Sequence, residues 1–531
     1  MKKQNWLLLL AALSFSLLFY NQAEGINYLV FDLLLLCLVF TASRTEERTY
    51  MFYCSAAATV VAGVAVLMYG NGLSVLSNVI ALIVLGGTRL NPASSILLRG
   101  AAGIYSMIAA PIFAIEKLFT PNPEPPIESK GRNRWIALIP VVALLVFFAL
   151  YRMTSPVFAR FTGEFDLSFI SIGFVFCTLL GFVLCMGLLR SHTVAELRDS
   201  EAAIPDHAPD QGKTLKLFGR TFLVEEENQS GVILLCTLNV LLLLVNGLDL
   251  GFLASGKLPE GMTYSEFVHQ GTGALILSIV LAVAILLVYF RGTLNYHASN
   301  GKLKALAYTW ILQNLLIVAS TAYRNDLYIN EYSLTYRRIG VYVFLLLAAI
   351  GLVATLAKIA YKHSNYRLFR NTSFSFYFVL LFAAFVPWDQ WILANNLQLA
   401  RQRGMAPDIH YLLTLSDEAI PELCKLYNAG ITGNEPLVYE RLSYRIYLFA
   451  RKQHTTDWRS FNWTDYRVSK RMKGIIGSGK WTELALTAHS NVDLEVMSEL
   501  PGIQKVILGA QTACLDSDPN IKGLTVQRSE D

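Results

Sequence analysis

Residues 231–250 read GVILLCTLNVLLLLVNGLDL, a stretch with a single charge, Asp249, and no proline. As a helix rising about 1.5 Å per residue it reaches about 30 Å, the thickness of a bilayer's hydrocarbon core. Inside lipid the backbone must satisfy its own hydrogen bonds, which only helices and closed barrels achieve. An unbroken Leu/Val/Ile run of this kind selects the helix over the alternating strands of a barrel. Working outward, similar apolar segments are predicted at 6–20, 26–43, 51–69, 73–88, 97–118, 135–152, 167–190, 269–290, 304–323, 339–361 and 372–394. The expected fold is an all-α polytopic transmembrane bundle of about 11–13 spans, followed by a small soluble α/β C-terminal domain.

The composition agrees. Of 531 residues, 54% are hydrophobic and 16% charged, against about 25% charged in a soluble domain. The net charge of +5 is small for the length, and no basic cluster interleaves with aromatics, so nucleic acid is not an expected partner. Five of the seven cysteines (Cys37, Cys54, Cys177, Cys185 and Cys236) fall in apolar segments, and none has CxxC spacing. A zinc or redox motif is therefore not predicted. Lys2 and Lys3 followed by Trp6–Tyr20 have the layout of a signal peptide. The exit at Asn21-Gln22-Ala23-Glu24 lacks a small-x-small cleavage site, so an uncleaved first span is expected.

The lysines and arginines cluster between apolar segments, where they orient helices. Lys2/Lys3, Arg44/Arg48, Lys130/Arg132/Arg134, the 191–229 loop, Lys302/Lys304 and Lys358/Lys362/Arg367/Arg370 read as cytoplasmic. The 255–268 loop reads as external. Twelve full crossings cannot satisfy every assignment. Because Arg89, Pro92 and Arg99 interrupt the pattern, 73–118 is expected to cross once and to add a re-entrant or surface piece. That count puts the C-terminal region outside the cytoplasm, although Arg401 and Arg403 favour the other side. A bacterial inner membrane is the expected setting, with the lipid bilayer as the principal partner.

The domain plan is N-terminal helices over 1–118, a Pro-rich linker at 119–134 and further spans at 135–190. A polar loop at 191–229, with a short hairpin at 214–224, leads to a transmembrane core at 230–396. The linker's Pro121-Asn-Pro-Glu-Pro-Pro126 cannot be helical, since proline lacks the amide donor. Residues 397–473 read as a soluble helical segment whose apolar face is Leu412, Leu413, Leu415, Ile420 and Leu423. In 474–531 a spacing recurs: Trp481-x-x-Leu484-x-Leu486, Ile503-x-x-Val506-x-Leu508 and Ile521-x-x-Leu524-x-Val526. Alternating apolar positions suit parallel strands, with a crossover helix at 492–500. The pattern is leucine-rich-repeat-like; a small α/β cap with coincidental spacing is the alternative. A protein partner is expected through 397–531.

Three motifs carry a family resemblance: Leu258-Pro-Glu-Gly-Met-Thr-Tyr-Ser-Glu266-Phe-Val-His269-Gln-Gly271, Leu412-Leu-Thr-Leu-Ser-Asp417-Glu-Ala-Ile-Pro421 and Asp457-Trp-Arg-Ser-Phe-Asn462. Over about 230–470 the chain resembles bacterial polytopic membrane proteins catalogued only as domains of unknown function. The resemblance implies a bacterial inner-membrane protein and no particular chemistry.

The most unusual polar residues lie between 239 and 271. Asn239, Asn246 and Asp249 share one helical face through spacings of three and seven, and Glu266 and His269 stack at the next helix entrance. Ionisable groups within a membrane are expensive and usually face a cavity or a partner. The candidate site is Asn246, Asp249, Glu266, His269 and Arg324. One reading is a pocket that binds a cation or relays protons, with Arg324 neutralising an acid. The plainer one is helix capping, interhelical hydrogen bonding and an interfacial belt. Glu266-x-x-His269 is half of a di-iron signature, but no second copy exists. There is no Walker loop, no G-x-S-x-G and no H-E-x-x-H. No catalytic residue, cofactor or metal is predicted. The preferred function is a non-enzymatic membrane protein presenting its C-terminal region; the alternative is a transporter or channel at Asp249, Glu266 and His269.

Overall fold

The computed structural model describes residues 3–119, 172–190, 203–208, 216–217, 220–221, 223–255, 264–431, 436–476, 483–485, 505–508 and 525–528, with isolated positions between 144 and 201. They form two compact units: residues 1–198, 381–386 and 413–531 make the first, and 199–380 and 387–412 the second.

The first unit begins with α1 (Lys3–Phe19), α2 (Ile26–Ala42), α3 (Tyr50–Tyr69), α4 (Gly72–Leu90), α5 (Ile96–Phe119) and α6 (Ile172–Leu189). Local sequence explains the α3–α4 turn. Gly70 ends α3 in the left-handed region at φ +53°, where a Cβ is disfavoured. Asn71 then opens α4 as a capping box with Ser74. Leu35, Val39, Phe52, Leu85 and Leu189 form the apolar core.

The second unit contains α7 (Val224–Ser255), α8 (Tyr264–Tyr289), α9 (Gly301–Tyr332), α10 (Tyr336–Ala360), α11 (Asn365–Ala383) and α12 (Trp388–Arg403). Leu235, Leu286, Leu303, Ile311 and Leu352 are its core. The hairpin expected at 214–224 is present as β1 (Lys216–Leu217) paired antiparallel with β2 (Arg220–Thr221).

Six described helices, α3, α4, α5, α7, α9 and α10, are long and apolar enough to cross a membrane, or seven spans if α11 and α12 count as one. The chain is a mostly helical, multi-pass membrane protein. The number is below the 11–13 expected. Residues 135–152 lie outside the described residues, while α1, α2 and α6 are shorter apolar helices. The 372–394 segment is not one straight helix: α11 and α12 meet at a 69° bend ahead of Pro387, which has no N–H to continue a helix.

The region 73–118 also departs from expectation. Both α4 and α5 qualify as spans, and they pack antiparallel, Gly87 against Arg99 and Gly103 against Ile83. Arg89 and Arg99 interrupt the sequence pattern because they mark the ends of a helical hairpin. There Arg89 pairs with Glu47 at 2.9 Å and donates to the Leu188 carbonyl, and Arg99 donates to Pro92 O at 2.7 Å.

The first unit continues with α13 (Ile420–Asn428), α14 (Pro436–Thr455) and α15 (Trp463–Ile476). Leu412, Leu413, Leu415, Ile420 and Leu423 are all buried. Burial also pushes the Cys424 thiol up to about 12, a core thiol rather than a reactive one. Beyond them β3 (Glu483–Ala485), β4 (Lys505–Leu508) and β5 (Thr525–Arg528) pair in parallel. Leu484 is opposite Val506, as the repeat spacing predicts. Val506 faces Val526 instead of Leu524, a slip of two residues, which keeps each position on its original face. The crossover helix expected at 492–500 lies outside the described residues. Three strands of three or four residues do not by themselves support the small α/β domain.

Candidate functional site

In the second unit, α7 and α9 run side by side in the same direction. The hydrogen bonds that join them keep a nearly constant offset: Asn239 to Leu306, Asn246 to Gln313 and Asp249 to Ser320, separated by 67, 67 and 71 residues. Parallel packing follows, because antiparallel helices would show offsets that change steadily along the pair. Asn239 Nδ2 donates to Leu306 O at 3.0 Å, and Gln313 Nε2 donates back to Asn239 Oδ1 at 2.8 Å. Asn246 Nδ2 donates to Gln313 O at 3.2 Å.

At the far end Asp249 accepts from Ser320 Oγ at 3.1 Å and forms an ion pair with Arg324; the two side chains are 17% and 10% exposed. Positions seven apart on each helix return to the same face, so one polar seam replaces part of the apolar contact. Interhelical bonds in membranes contribute about 0.6 to 2 kcal/mol each.

Of the predicted site residues, the seam gathers Asn246, Asp249 and Arg324. Glu266 and His269 fall in the first turns of α8, and their side chains lie outside the described residues. Toward the α9–α10 turn, Arg338 stacks on Tyr328 at 4.1 Å, and Tyr336 donates to Asp389 Oδ1 at 2.6 Å. Among the described residues, no three His, Cys, Asp or Glu side chains converge as metal ligands would.

A second intramembrane acid belongs to the first unit. Asp32, on α2, is fully buried and accepts from Asn78 Nδ2 of α4 at 2.5 Å. Gly63 on α3 makes room for it, since a Cβ there would meet the carboxylate. Among the described residues, no cation pairs with Asp32.

The motif Asp457–Asn462, read from sequence only as a mark of resemblance, has a structural job in the first unit. It anchors the C-terminal helices to two helix turns. At the α1–α2 turn, Ile26 N donates to Phe461 O at 2.9 Å, Ala23 N donates to Ser460 Oγ at 2.9 Å, and Ser460 Oγ donates to Gln22 Oε1 at 2.8 Å. Arg459 Nη1 donates to Leu17 O at 2.5 Å. Asn27 stiffens this turn, accepting from Gly25 N at 2.9 Å and donating to Leu18 O at 3.1 Å.

At the α3–α4 turn, Asn462 Nδ2 donates to Val66 O at 3.3 Å. Its Oδ1 caps α15 by accepting from Thr464 N and Asp465 N. Thr464 Oγ1 lies 2.7 Å from Met68 O and 2.9 Å from Glu418 Oε1. Both turns need glycine for this approach: a Cβ on Gly25 would lie 2.7 Å from the Ser460 carbonyl carbon, and one on Gly70 would strike the Asn462 amide. Within the motif, the Arg459 guanidinium hydrogen-bonds Asp457 and holds its carboxyl below the usual range.

One further arrangement escaped the sequence reading. In the second unit, His207 and His363 form an antiparallel bridge, with Ala208 N donating to Lys362 O at 3.0 Å and Ser364 N to Asp206 O at 2.9 Å. Asp206 pairs with Arg370 at 2.9 Å. Burial first, then Arg367 and His207, lower the His363 pKa.

Residues 31–426 match the family described as Domain of unknown function (DUF4153), and the chain belongs to it. The match begins well before the 230 expected from the motifs and leaves Asp457–Asn462 outside it. No curated protein and no solved structure matches the chain.

Proposed function

We propose that this member of the DUF4153 family is a non-enzymatic scaffold of the bacterial inner membrane that holds residues 397–531 outside the cytoplasm as a surface for a protein partner. The observation that carries this reading is the anchor at Asp457–Asn462. In the first unit, the turns it grips lie at the opposite helix ends from Arg48, Arg89 and Arg190. Basic residues favour the cytoplasmic side, so the anchored turns belong to the other face.

The second unit carries basic residues at both sets of its helix ends. Lys302, Lys304, Lys358, Lys362 and Arg370 gather at one set of helix ends. At the other set α12 lies against the α9–α10 turn, where Asn396 bonds Leu334 N and O at 2.6 and 3.0 Å and Arg403 donates to Glu331 O at 2.7 Å. Arg337, Arg338 and Arg401 also stand at this second set of ends. A small α/β, leucine-rich-repeat-like unit at the end of the displayed region would suit this role, since stacked repeats mostly make binding surfaces.

The polar seam weighs against a transport pathway through Asp249. The polar groups of α7 and α9 bond to one another, and Asp249 already has Arg324 as its counter-ion. The test is a pair of reporters fused after Asp531, one active only outside the cytoplasm and one only inside. Activity of the external reporter is expected, together with recovery of a specific protein when the full chain is cross-linked in intact membranes. Activity of the cytoplasmic reporter overturns the proposed side. Loss of flux in Asp249→Asn proteoliposomes overturns the scaffold reading.

A further inference from the structure

Beside the anchor, the end of α14 and the start of α15 enclose a cavity of about 210 Å³. Asp457, Asp465, Trp458, Phe461 and Tyr466 are among its lining residues, which include no lysine or arginine. Arg459 and Lys452 pair with these acids through their Oδ2 atoms, at 2.5 and 2.7 Å, from outside the lining. The rings are accessible: Trp458 is 63% and Tyr466 48% exposed. Phe461 and Tyr466 stand 6.1 Å apart at 47°, two walls of one corner rather than a closed stack.

The geometry points to a binding site for an ammonium group, primary or quaternary, held by aromatic faces and the two carboxylates. Ring faces attract a cation through their quadrupole, and an ammonium group can share the carboxylates that Arg459 and Lys452 each contact through one oxygen. The volume is below the roughly 300 Å³ at which drug-sized pockets begin, which suits a headgroup-sized ligand. The anchor binds the turns where α1 and α3 end, and α3 is long and apolar enough to cross a membrane, so a lipid headgroup is one source of such an amine. An aminophospholipid headgroup and a soluble amine present the same chemistry here. The inference rests on the cavity walls and holds whichever side of the membrane the region occupies.

The test uses the full chain in nanodiscs of phosphatidylglycerol alone, titrated with choline and with its uncharged carbon isostere 3,3-dimethyl-1-butanol. Saturation-transfer NMR on the ligand methyl protons is the readout. Choline is expected to bind saturably and at least about tenfold more tightly than the isostere. Tyr466→Leu, on an exposed ring, and Asp465→Asn are each expected to weaken it by about five- to tenfold. In nanodiscs that also contain phosphatidylethanolamine, suppression of the choline signal assigns the site to a lipid headgroup, and persistence assigns it to a soluble amine. Equal binding of the isostere, no choline signal in phosphatidylglycerol, or unchanged binding in both variants overturns the proposal.

Discussion

Asp249 and Asp32 are both acids within apolar helices, yet their surroundings differ. Asp249 stands at the end of a polar seam with a guanidinium and a hydroxyl as partners. Asp32 is sealed among α2, α3 and α4 with one amide donor and a glycine. A residue with a counter-ion is tied to its partner, because removing either leaves a charge stranded in a medium that cannot solvate it. A residue held by a neutral donor has no such dependence. The two acids therefore differ in what depends on them, a distinction that neither hydropathy nor burial reveals.

Mutation separates them. Asp249→Asn strands Arg324 and is expected to cost about 3 kcal/mol, read as a lowered unfolding midpoint of the detergent-solubilised protein. Adding Arg324→Gln should recover a large part of that loss. A double variant no better than the single one would show that the pair is not the source of the cost.

Next in size is the anchor. Gly70→Val puts a β-branched side chain in the left-handed region and against Asn462, at about 2 kcal/mol. Faster proteolysis around residues 456–464, with the membrane helices intact, is the expected result. Unchanged cleavage would mean that the anchor tolerates a side chain at the turn.

Asp32→Asn preserves an acceptor for Asn78 and should shift stability by no more than about 1 kcal/mol. A loss equal to that of Asp249→Asn would erase the contrast and imply that a cation serves Asp32.

The smallest effect is pH-dependent. The folded-state pKa of His363 is lowered, so folding favours the neutral ring. The stability this brings is present above the unfolded value of about 6.5 and is lost as pH falls from there through the lowered folded value. Arg367, His207 and Lys358 oppose the charged ring, and Asp206 favours it. Protection of the Ala208 and Ser364 amides, corrected for the pH dependence of intrinsic exchange, should fall as pH drops below about 6.5, and His363→Gln should flatten that dependence. A wild-type profile already flat would remove His363 as its cause.

Much of this architecture was legible in the sequence because burial in lipid demands continuous apolar runs. The shared face of Asn239, Asn246 and Asp249 followed from helical periodicity, and pairing of Asp249 with Arg324 was one of the alternatives the charges allowed. The hairpin of α4 and α5 was misread because arginines at a turn and arginines within a span look alike until the chain folds back. The anchor was recognisable as a motif but not as an anchor. Its partners are backbone carbonyls at Leu17, Val66 and Met68, and a carbonyl leaves no trace in the identity of its residue.

By itself the sequence determined that the chain is a helical membrane protein, where most of its helices run, and which polar residues each helix carries on one face. These are local properties, set by periodicity and by the cost of exposing peptide groups to lipid. Tertiary structure decided which faces meet. It laid α7 parallel to α9, so that Asp249 met Arg324, and brought Asp457–Asn462 onto the turns at Gly25 and Gly70. Such pairings depend on close approach between distant segments, and only the folded chain supplies it.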